Sequence, residues 1–174
     1  MAGSGAKTSV DLTRLTLTHG EGRRLEIPLG ADPLSLGGEE YVAEGEVPAR
    51  LEVSRTAHGY AFHLTFRTKV AGPCVRCLEP AAIDVDVDAR EIEEPASDDE
   101  ELHTPYVEDE VLDVGSWAHD SLVLAVPPKV LCRPDCAGLC PVCGESLNDA
   151  EPEEHHHHEA RDSRWAKLDE LKLD

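Results

Sequence analysis

Six cysteines gathered into three close pairs constrain the fold of this 174-residue chain more than any other feature. Two thiolates separated by two or three residues can converge on one tetrahedral zinc ion, with Zn–S bonds of about 2.3 Å. That spacing predicts a structural zinc site. The pairs lie in the segments Cys74-Val-Arg-Cys77, Cys132-Arg-Pro-Asp-Cys136 and Cys140-Pro-Val-Cys143.

The cellular compartment decides between zinc and disulfides, because an even number of cysteines also suits a disulfide framework. Residues 1–8 lack the apolar stretch that a secretory signal requires, and no run of about 18 apolar residues predicts a membrane span. We therefore expect a cytoplasmic protein with no membrane partner. In that compartment, clustered thiols hold metal more often than they pair with each other.

Three sets of four cysteines can supply the zinc shell. The compact set is preferred, because it closes within twelve residues and local closure costs the least chain entropy. The cost rises only with the logarithm of loop length, so two sets that include the first pair stay open. The compact set is Cys132, Cys136, Cys140 and Cys143; the alternatives join Cys74 and Cys77 either to Cys140 and Cys143 or to Cys132 and Cys136.

The cysteine pattern and the absence of catalytic motifs predict a protein that is not an enzyme. A shell of four cysteines has no open position for water or substrate, which indicates a structural metal. The chain contains no nucleophile elbow, P-loop or glycine-rich dinucleotide motif. A redox dithiol at Cys74 and Cys77 is a weaker hypothesis, because the βαβ context of such motifs is missing. We expect no small-molecule substrate.

A formal charge of −20 limits the partners that this chain can bind. Nucleic acid and anionic membranes attract proteins through Lys and Arg, so bulk attraction to either is excluded. The excess of acidic residues is spread unevenly along the chain. Eleven carboxylates and no Lys or Arg occur from Glu91 to Asp113. A neutral or basic face elsewhere is therefore compatible with the composition.

The hydrophobic pattern changes period along the chain. Apolar and acidic residues alternate over residues 83–88, which predicts a strand with Ile83, Val85 and Val87 inward. From Val114 apolar residues recur at helical spacing, through Trp117, Ala118, Leu122 and Ala125, with Asp113 as N-cap and a pair of prolines after the end. We divide the chain into a β-rich half (8–92), an acidic loop (93–112), a helix with the cysteine lobe (113–149), a polar His-rich linker (150–160) and a C-terminal helix (161–174).

These elements predict an α+β fold: a small antiparallel β-sheet or open barrel, a packed helix, a zinc-stapled lobe and a C-terminal amphipathic helix. The four histidines at 155–158 are expected to belong to a flexible polar linker, although they can also bind a transition metal. Trp165, Leu168 and Leu171 form one apolar stripe. That stripe either packs on its own domain or anchors a partner.

The order of these motifs resembles the YceD family, the large ribosomal RNA subunit accumulation proteins. The resemblance is carried by Cys74-Val-Arg-Cys77-Leu-Glu-Pro80, by the block from Leu131 to Asn148 with its four cysteines, and by Asp162-Ser-Arg-Trp165-Ala-Lys-Leu168. It covers roughly residues 8 to 172. Ser163 stands where a proline is more usual in the family. The resemblance implies support of large-subunit rRNA accumulation without a known catalytic activity, and zinc that supports the fold.

The net charge and the family resemblance together leave two classes of partner. A chain at −20 is expected to bind a basic ribosomal protein or assembly factor, with the carboxylates between Glu91 and Asp113 steering the encounter. The alternative is direct contact with large-subunit rRNA through a local basic patch. The candidate residues for partner binding are Lys129, Arg133, Arg161, Arg164, Trp165 and Lys167. A zinc-stapled acidic binding module or a thiol redox sensor, each unrelated to ribosomes, completes the alternatives.

Overall fold

Antiparallel strands account for most of the protein in a computed structural model, which describes residues 8–30 and 32–148. Within those ranges the chain forms nine strands and one α-helix, besides two 3₁₀ turns. The strands are β1 (Ser9–Asp11), β2 (Gly22–Leu29), β3 (Leu34–Leu36), β4 (Glu39–Ala43), β5 (Val47–Arg55), β6 (Tyr60–Pro73), β7 (Pro80–Glu93), β8 (Val107–Glu108) and β9 (Val111–Asp113), and the helix is α1 (Val114–Ala125).

The larger sheet is built around β6. Along one edge β6 pairs with β7, from Tyr60 opposite Glu93 to Pro73 opposite Pro80. Along the other edge it pairs first with β5 and then, at Ala71, with β4. Strands β2 and β3 extend the sheet beyond β5 and β4. All these pairings are antiparallel, which confirms the predicted α+β class with an antiparallel sheet.

Alternation of apolar and polar side chains explains why the strands form. In β6 every second side chain from Tyr60 to Phe66 is at most 9% exposed. In β7, Val85 and Val87 are buried and Ile83 packs against the core, while the aspartates between them are exposed, as predicted. A strand with this period turns one set of side chains to the core and the other to water.

The outer face of the larger sheet is electrically balanced. Asp86 of β7 pairs with Arg67 of β6, and Asp88 lies 3.0 Å from His63 Nε2. The aspartates of β7 therefore face cations on the neighbouring strand. Across β2, β5, β6 and β7 five side chains on this face are basic (Arg24, Arg50, Arg67, Lys69 and Arg90) and five are acidic (Glu26, Glu52, Asp84, Asp86 and Asp88).

Helix α1 follows a second, three-stranded sheet in the order β1-β9-β8. Asp113 caps the helix, since its carboxylate accepts a hydrogen bond from the Ser116 N–H at 3.0 Å. The buried face carries Val114, Trp117, Ala118 and Leu122, while Ala125, predicted on the same stripe, is exposed. No helix among the described residues has the length and apolar character needed to cross a bilayer.

The segment 93–112, expected to be an acidic loop, is held to the fold at two points. Glu93 is 8% exposed, and its carboxylate accepts a 2.9 Å hydrogen bond from the Thr104 N–H. Further on, β8 and β9 form a hairpin that is held to the fold because β9 also pairs with β1. The turn residues of this hairpin, Asp109 and Glu110, have φ values of 49° and 61°. Strands of two and three residues are too short to show a period, which is why the sequence predicted only a loop.

Replacing Trp117 with alanine is expected to destabilise the fold by about 3–5 kcal/mol, the cost of deleting a buried aromatic side chain. Trp117 is 1% exposed, and its ring lies 6.4 Å from Phe62 and 6.3 Å from Tyr106. Urea unfolding followed by circular dichroism measures the change. The control is Leu124→Ala on the same helix, where 86% exposure predicts a change within about 0.5 kcal/mol. Equal losses in both variants would contradict the core role of Trp117.

Candidate metal centre

Four cysteines from two distant parts of the chain converge beside the turn that joins β6 to β7. Cys74 and Cys77 lie in this turn, and Cys132 and Cys136 lie in the segment after α1. Their Sγ atoms all lie within 4.8 Å of one another. Cys74 and Cys136 are 0% exposed and Cys77 is 4% exposed, whereas Cys132 is half-buried at the solvent side of the cluster.

The spacing of the sulfur atoms suits a metal ion better than disulfides. Cys74 Sγ lies 3.7 Å from Cys136 Sγ, and Cys77 Sγ lies 3.5 Å from Cys132 Sγ. A disulfide would bring two sulfurs to about 2.05 Å. Around a tetrahedral ion with Zn–S bonds of about 2.3 Å, neighbouring sulfurs are about 3.8 Å apart. The four thiols therefore fit one tetrahedral ion.

The first cysteine turn (residues 74–79) presents its thiols through backbone hydrogen bonds. The Cys74 N–H donates to the Glu79 carbonyl at 2.8 Å, and the Leu78 N–H donates to the Cys74 carbonyl at 2.9 Å. Leu78 has a φ of 64°, which closes the turn. The Arg76 N–H points at Cys74 Sγ at 3.5 Å, and such a donor stabilises a thiolate.

Two hydrogen bonds hold the second cysteine pair against this turn. The Val75 N–H donates to the Val130 carbonyl at 3.0 Å. The Arg76 side chain donates through Nη1 to the Cys136 carbonyl at 2.6 Å. Because Val130 and Cys136 flank Cys132, these bonds set the position of both cysteines. Arg76 therefore supports the cluster without contributing a ligand.

Tyr41 supports the cluster from the sheet, a role that sequence analysis missed. Its hydroxyl donates to the Pro73 carbonyl at 2.8 Å, directly before Cys74. Its ring lies over Gly72, where a Cβ atom would come within 2.2 Å of Tyr41 Cδ1. Glycine is thus required at position 72 for the strand to approach the ring. The Gly72-Pro73 step ahead of Cys74 was the available signal, but nothing in the sequence points from it to Tyr41.

The four thiols of the cluster differ in acidity. Burial raises the pKa of Cys74, but N–H groups of Arg76, Cys132 and Cys77 outweigh it and lower the pKa to about 6. Burial and the neighbouring sulfurs raise the pKa of Cys132 to about 12. A bound metal ion must therefore displace protons from part of the cluster, which makes its affinity depend on pH.

The compact set preferred from the sequence is not the set that the structure assembles. Cys132 and Cys136 join Cys74 and Cys77, the last of the three predicted sets, rather than Cys140 and Cys143. Backbone pairing of Val75 with Val130 brings the distant segments together. Cys140 instead starts a separate turn, with its N–H bonded to the Glu145 carbonyl at 2.8 Å.

Of the predicted partner-binding residues, two are described. Lys129 is exposed immediately before Val130. Arg133 is also exposed, but its Nη2 donates to the Asn148 carbonyl at 2.6 Å and its Nε lies 3.5 Å from the Asp135 carboxylate. The remaining residues, Arg161, Arg164, Trp165 and Lys167, lie outside the described residues, as do the histidine tract and the predicted C-terminal helix.

Together, the fold and the site define a small α+β protein with a four-thiol cluster that can hold one metal ion. Four thiolates complete a tetrahedral shell, so an ion bound there has no position left for a substrate. Such an ion stabilises the surrounding lobe, because each pair of ligands comes from a different part of the chain.

Comparison with known proteins identifies the family. The profile described as "Large ribosomal RNA subunit accumulation protein YceD" matches residues 62–172, so this chain belongs to the YceD family, as the sequence resemblance predicted. No solved structure matches the chain.

The curated relatives are mycobacterial. The uncharacterized proteins Mb2951c of Mycobacterium bovis and Rv2926c of Mycobacterium tuberculosis are each 37% identical over 126 residues, which is 70% of this chain and 59% of theirs. The uncharacterized protein ML1660 of Mycobacterium leprae is 31% identical over 143 residues, 78% of this chain and 64% of its own length. The chain thus spans less than two thirds of these relatives.

Replacing Cys77 with serine is expected to remove one bound metal ion and to unfold the lobe around the cluster. The apparent affinity of structural zinc sites, about 10–16 kcal/mol, is comparable to the whole stability of a domain. Elemental analysis measures the metal, and thermal unfolding measures the stability. Leu78→Ser is the matched control, because Leu78 lies in the same turn and is 62% exposed. Unchanged metal content and midpoint in Cys77→Ser would contradict the assignment.

Proposed function

We propose that this protein is a non-enzymatic cytoplasmic factor that supports accumulation of large-subunit rRNA and assembly of the large ribosomal subunit. The observation that carries the proposal is the YceD match over residues 62–172. That range includes most of β6, all of β7, all six cysteines and the Asp162–Leu168 motif. The match thus covers the two longest strands, the helix and the thiol-rich lobe, and begins after β5.

We further propose that the bound metal is zinc and that its role is structural. Thiolate ligands in a tetrahedral arrangement suit zinc, which has no redox chemistry of its own. The four sulfurs, within 4.8 Å of one another, leave no open coordination position in such a shell. Zinc here would keep the lobe after α1 docked against the β6–β7 turn.

A basic ribosomal protein or assembly factor is the partner class that the charge distribution favours. The sheet's outer face is balanced, so the net charge of −20 is carried elsewhere. Exposed carboxylates concentrate in two clusters of the 93–112 segment. The clusters are Asp98, Asp99, Glu100 and Glu101 on one turn, and Glu108, Asp109 and Glu110 on the β8–β9 hairpin.

Direct rRNA contact by the thiol-rich lobe has weaker support. The Arg133 guanidinium contacts the Asn148 carbonyl and the Asp135 carboxylate, so it is already engaged within the protein. Lys129 and Arg76 are exposed beside the cluster, and the Arg76 guanidinium already donates to the Cys136 carbonyl. Phosphate binding relies on several basic side chains together. Within the described part of the lobe, these contacts support a protein partner over an RNA partner.

Depletion of the protein from the cells that make it is expected to lower large-subunit rRNA selectively. The ratio of large- to small-subunit rRNA, together with a ribosome gradient, measures the effect. Expression of the Leu78→Ser variant should restore the ratio, whereas Cys77→Ser should not, because the lobe of that variant is expected to unfold. An unchanged ratio after complete depletion would overturn the assembly role.

Neutralising four carboxylates at residues 98–101 is expected to slow association with a basic partner and to flatten its dependence on salt, because steering acts through long-range charge. The variant is Asp98→Asn, Asp99→Asn, Glu100→Gln and Glu101→Gln; asparagine preserves the Asp99 cap of the turn. Association rates with ribosomal proteins extracted from purified large subunits are measured at several salt concentrations.

The control for this experiment removes the same number of charges from another surface. Glu39, Glu40, Glu44 and Glu46 are exposed on and beside β4, and each is changed to glutamine. A rate that falls equally in both variants would indicate an effect of net charge alone. No change in either would remove the steering proposal.

A further inference from the structure

Strand β7 forms an open edge of the larger sheet. It spans 14 residues, Pro80–Glu93, and β6 is its only strand partner within residues 8–30 and 32–148. No other backbone hydrogen bond among those residues involves this strand. An open edge offers a row of N–H and C=O groups to which another extended chain can pair.

The register shows which residues of β7 turn these groups outward. In an antiparallel ladder, pairs that bond to each other alternate with pairs whose N–H and C=O groups point away. Pro73 lies opposite Pro80, and two prolines cannot exchange N–H bonds. One step along, the Cys74 N–H does bond to the Glu79 carbonyl. The pairing from Pro80 onward has no bulge, so the outward positions are Ala82, Asp84, Asp86, Asp88, Arg90 and Ile92.

A groove of about 520 Å³ lies beside this edge, between β7 and α1. Residues 86–91 line it on the strand side, and Trp117, Ser121, Leu124 and Ala125 line it on the helix side. Leu124 is 86% exposed, and Ala125 is also exposed. Every second side chain of a segment paired to β7 would point toward this helix and cover both residues.

The charge left unneutralised in the groove is negative. Glu91 lines the groove, and Asp120 accepts a 3.0 Å hydrogen bond from the hydroxyl of Tyr106, another lining residue. Neither carboxylate forms an ion pair with a described residue. Arg90 also lines the groove, but its Nη1 lies 3.3 Å from Asp88 Oδ1 and its charge is thereby offset.

The aspartates of β7 add to this preference, although the outer face is balanced as a whole. Asp86 contacts Arg67 and Asp88 contacts His63, each through Oδ1, and no cation of the described chain contacts Oδ2 of either. Asp84 forms no ion pair within the same residues. Outward side chains of an added strand would lie opposite this row, where basic residues make favourable cross-strand pairs.

The same row disfavours a second copy of the chain. A two-fold antiparallel pairing centred on Asp86 would place Asp84 of one copy opposite Asp88 of the other. Like charges directly opposite each other are destabilising, and charged residues commonly protect edge strands in this way. The edge therefore disfavours self-association and favours a basic strand.

We propose that the open edge of β7 binds an extended basic segment of a partner protein by β-strand addition. In this segment lysine or arginine alternates with apolar residues. The basic side chains face the aspartates, and the apolar ones cover Leu124 and Ala125. The inference rests on the basic partner class proposed above and names the surface that binds it. A synthetic peptide tests it, so failure here leaves the rRNA measurement to decide the ribosomal role.

The probe is a synthetic nine-residue peptide that alternates lysine and valine, with lysine at both ends, which matches the length of residues 84–92. Calorimetry measures its affinity for the full-length protein. The control peptide has five lysines followed by four valines, so it keeps the composition and charge but cannot place all its lysines on one face. The alternating peptide is expected to bind at least about tenfold more tightly.

Two substitutions at Asp84 separate charge from hydrogen bonding. Asp84→Asn removes the carboxylate and is expected to weaken peptide binding about threefold. Asp84→Pro also removes the outward N–H, which an edge strand tolerates, and should weaken binding by about a further fivefold. Leu124→Ala, at an exposed position, is expected to cost about threefold or more. Circular dichroism and thermal midpoints check that each variant is folded.

Amide hydrogen exchange of the wild type, resolved by NMR, needs no variant. In the free protein the outward N–H groups of Asp84, Asp86 and Asp88 are expected to exchange fast, whereas those of Val85 and Val87, bonded to β6, are protected. Saturating alternating peptide should slow the first set by at least about tenfold and leave the second unchanged.

Three results would overturn the proposal. Slow exchange of the outward amides in the free monomer would mean that the chain's own residues cover the edge. A concentration-dependent dimer that Asp84→Pro abolishes in sedimentation would assign the edge to a second copy. Equal affinity for the two peptides would reduce the interaction to attraction between net charges.

Discussion

Closure of the four-cysteine cluster is the interaction on which the lobe after α1 depends. Cys77 and Cys132 are separated by 55 positions in sequence, yet their sulfurs lie 3.5 Å apart. The Val75–Val130 hydrogen bond and the Arg76 side chain bring the second pair to the first turn. Tyr41, packed on Gly72, positions that turn on the sheet. The hydrogen bonds that join the first cysteine turn to the segment after α1 thus lie close to the thiols.

Charge is separated in space as clearly as it is along the chain. On the outer face of the sheet, cross-strand pairs such as Arg67 with Asp86 neutralise the aspartates of β7. The exposed carboxylates of the 93–112 segment have no such cations within their own stretch of sequence. One surface is therefore neutralised within the fold, and the other carries the unpaired charge on which the proposed steering of a basic partner depends.

Much of the local structure could be predicted from residue patterns. The period-2 alternation at residues 83–88 and the helical stripe that begins at Val114 both depend on neighbours in sequence, and the Asp113 cap depends on a residue three positions away. The hairpin of β8 and β9 could not be predicted, because two- and three-residue strands carry no period. The role of Tyr41 depends on a contact 32 positions away and leaves no local pattern.

Residue spacing and periodicity alone predict a thiol-rich lobe and an antiparallel β-rich half, because both are local properties of the chain. Which four cysteines meet depends instead on tertiary contacts. Local closure favours Cys132, Cys136, Cys140 and Cys143, since loop entropy rises with loop length. That rise is only logarithmic, and a backbone hydrogen bond at Val75 and a side-chain hydrogen bond at Arg76 hold Cys74 and Cys77 beside Cys132 and Cys136 instead.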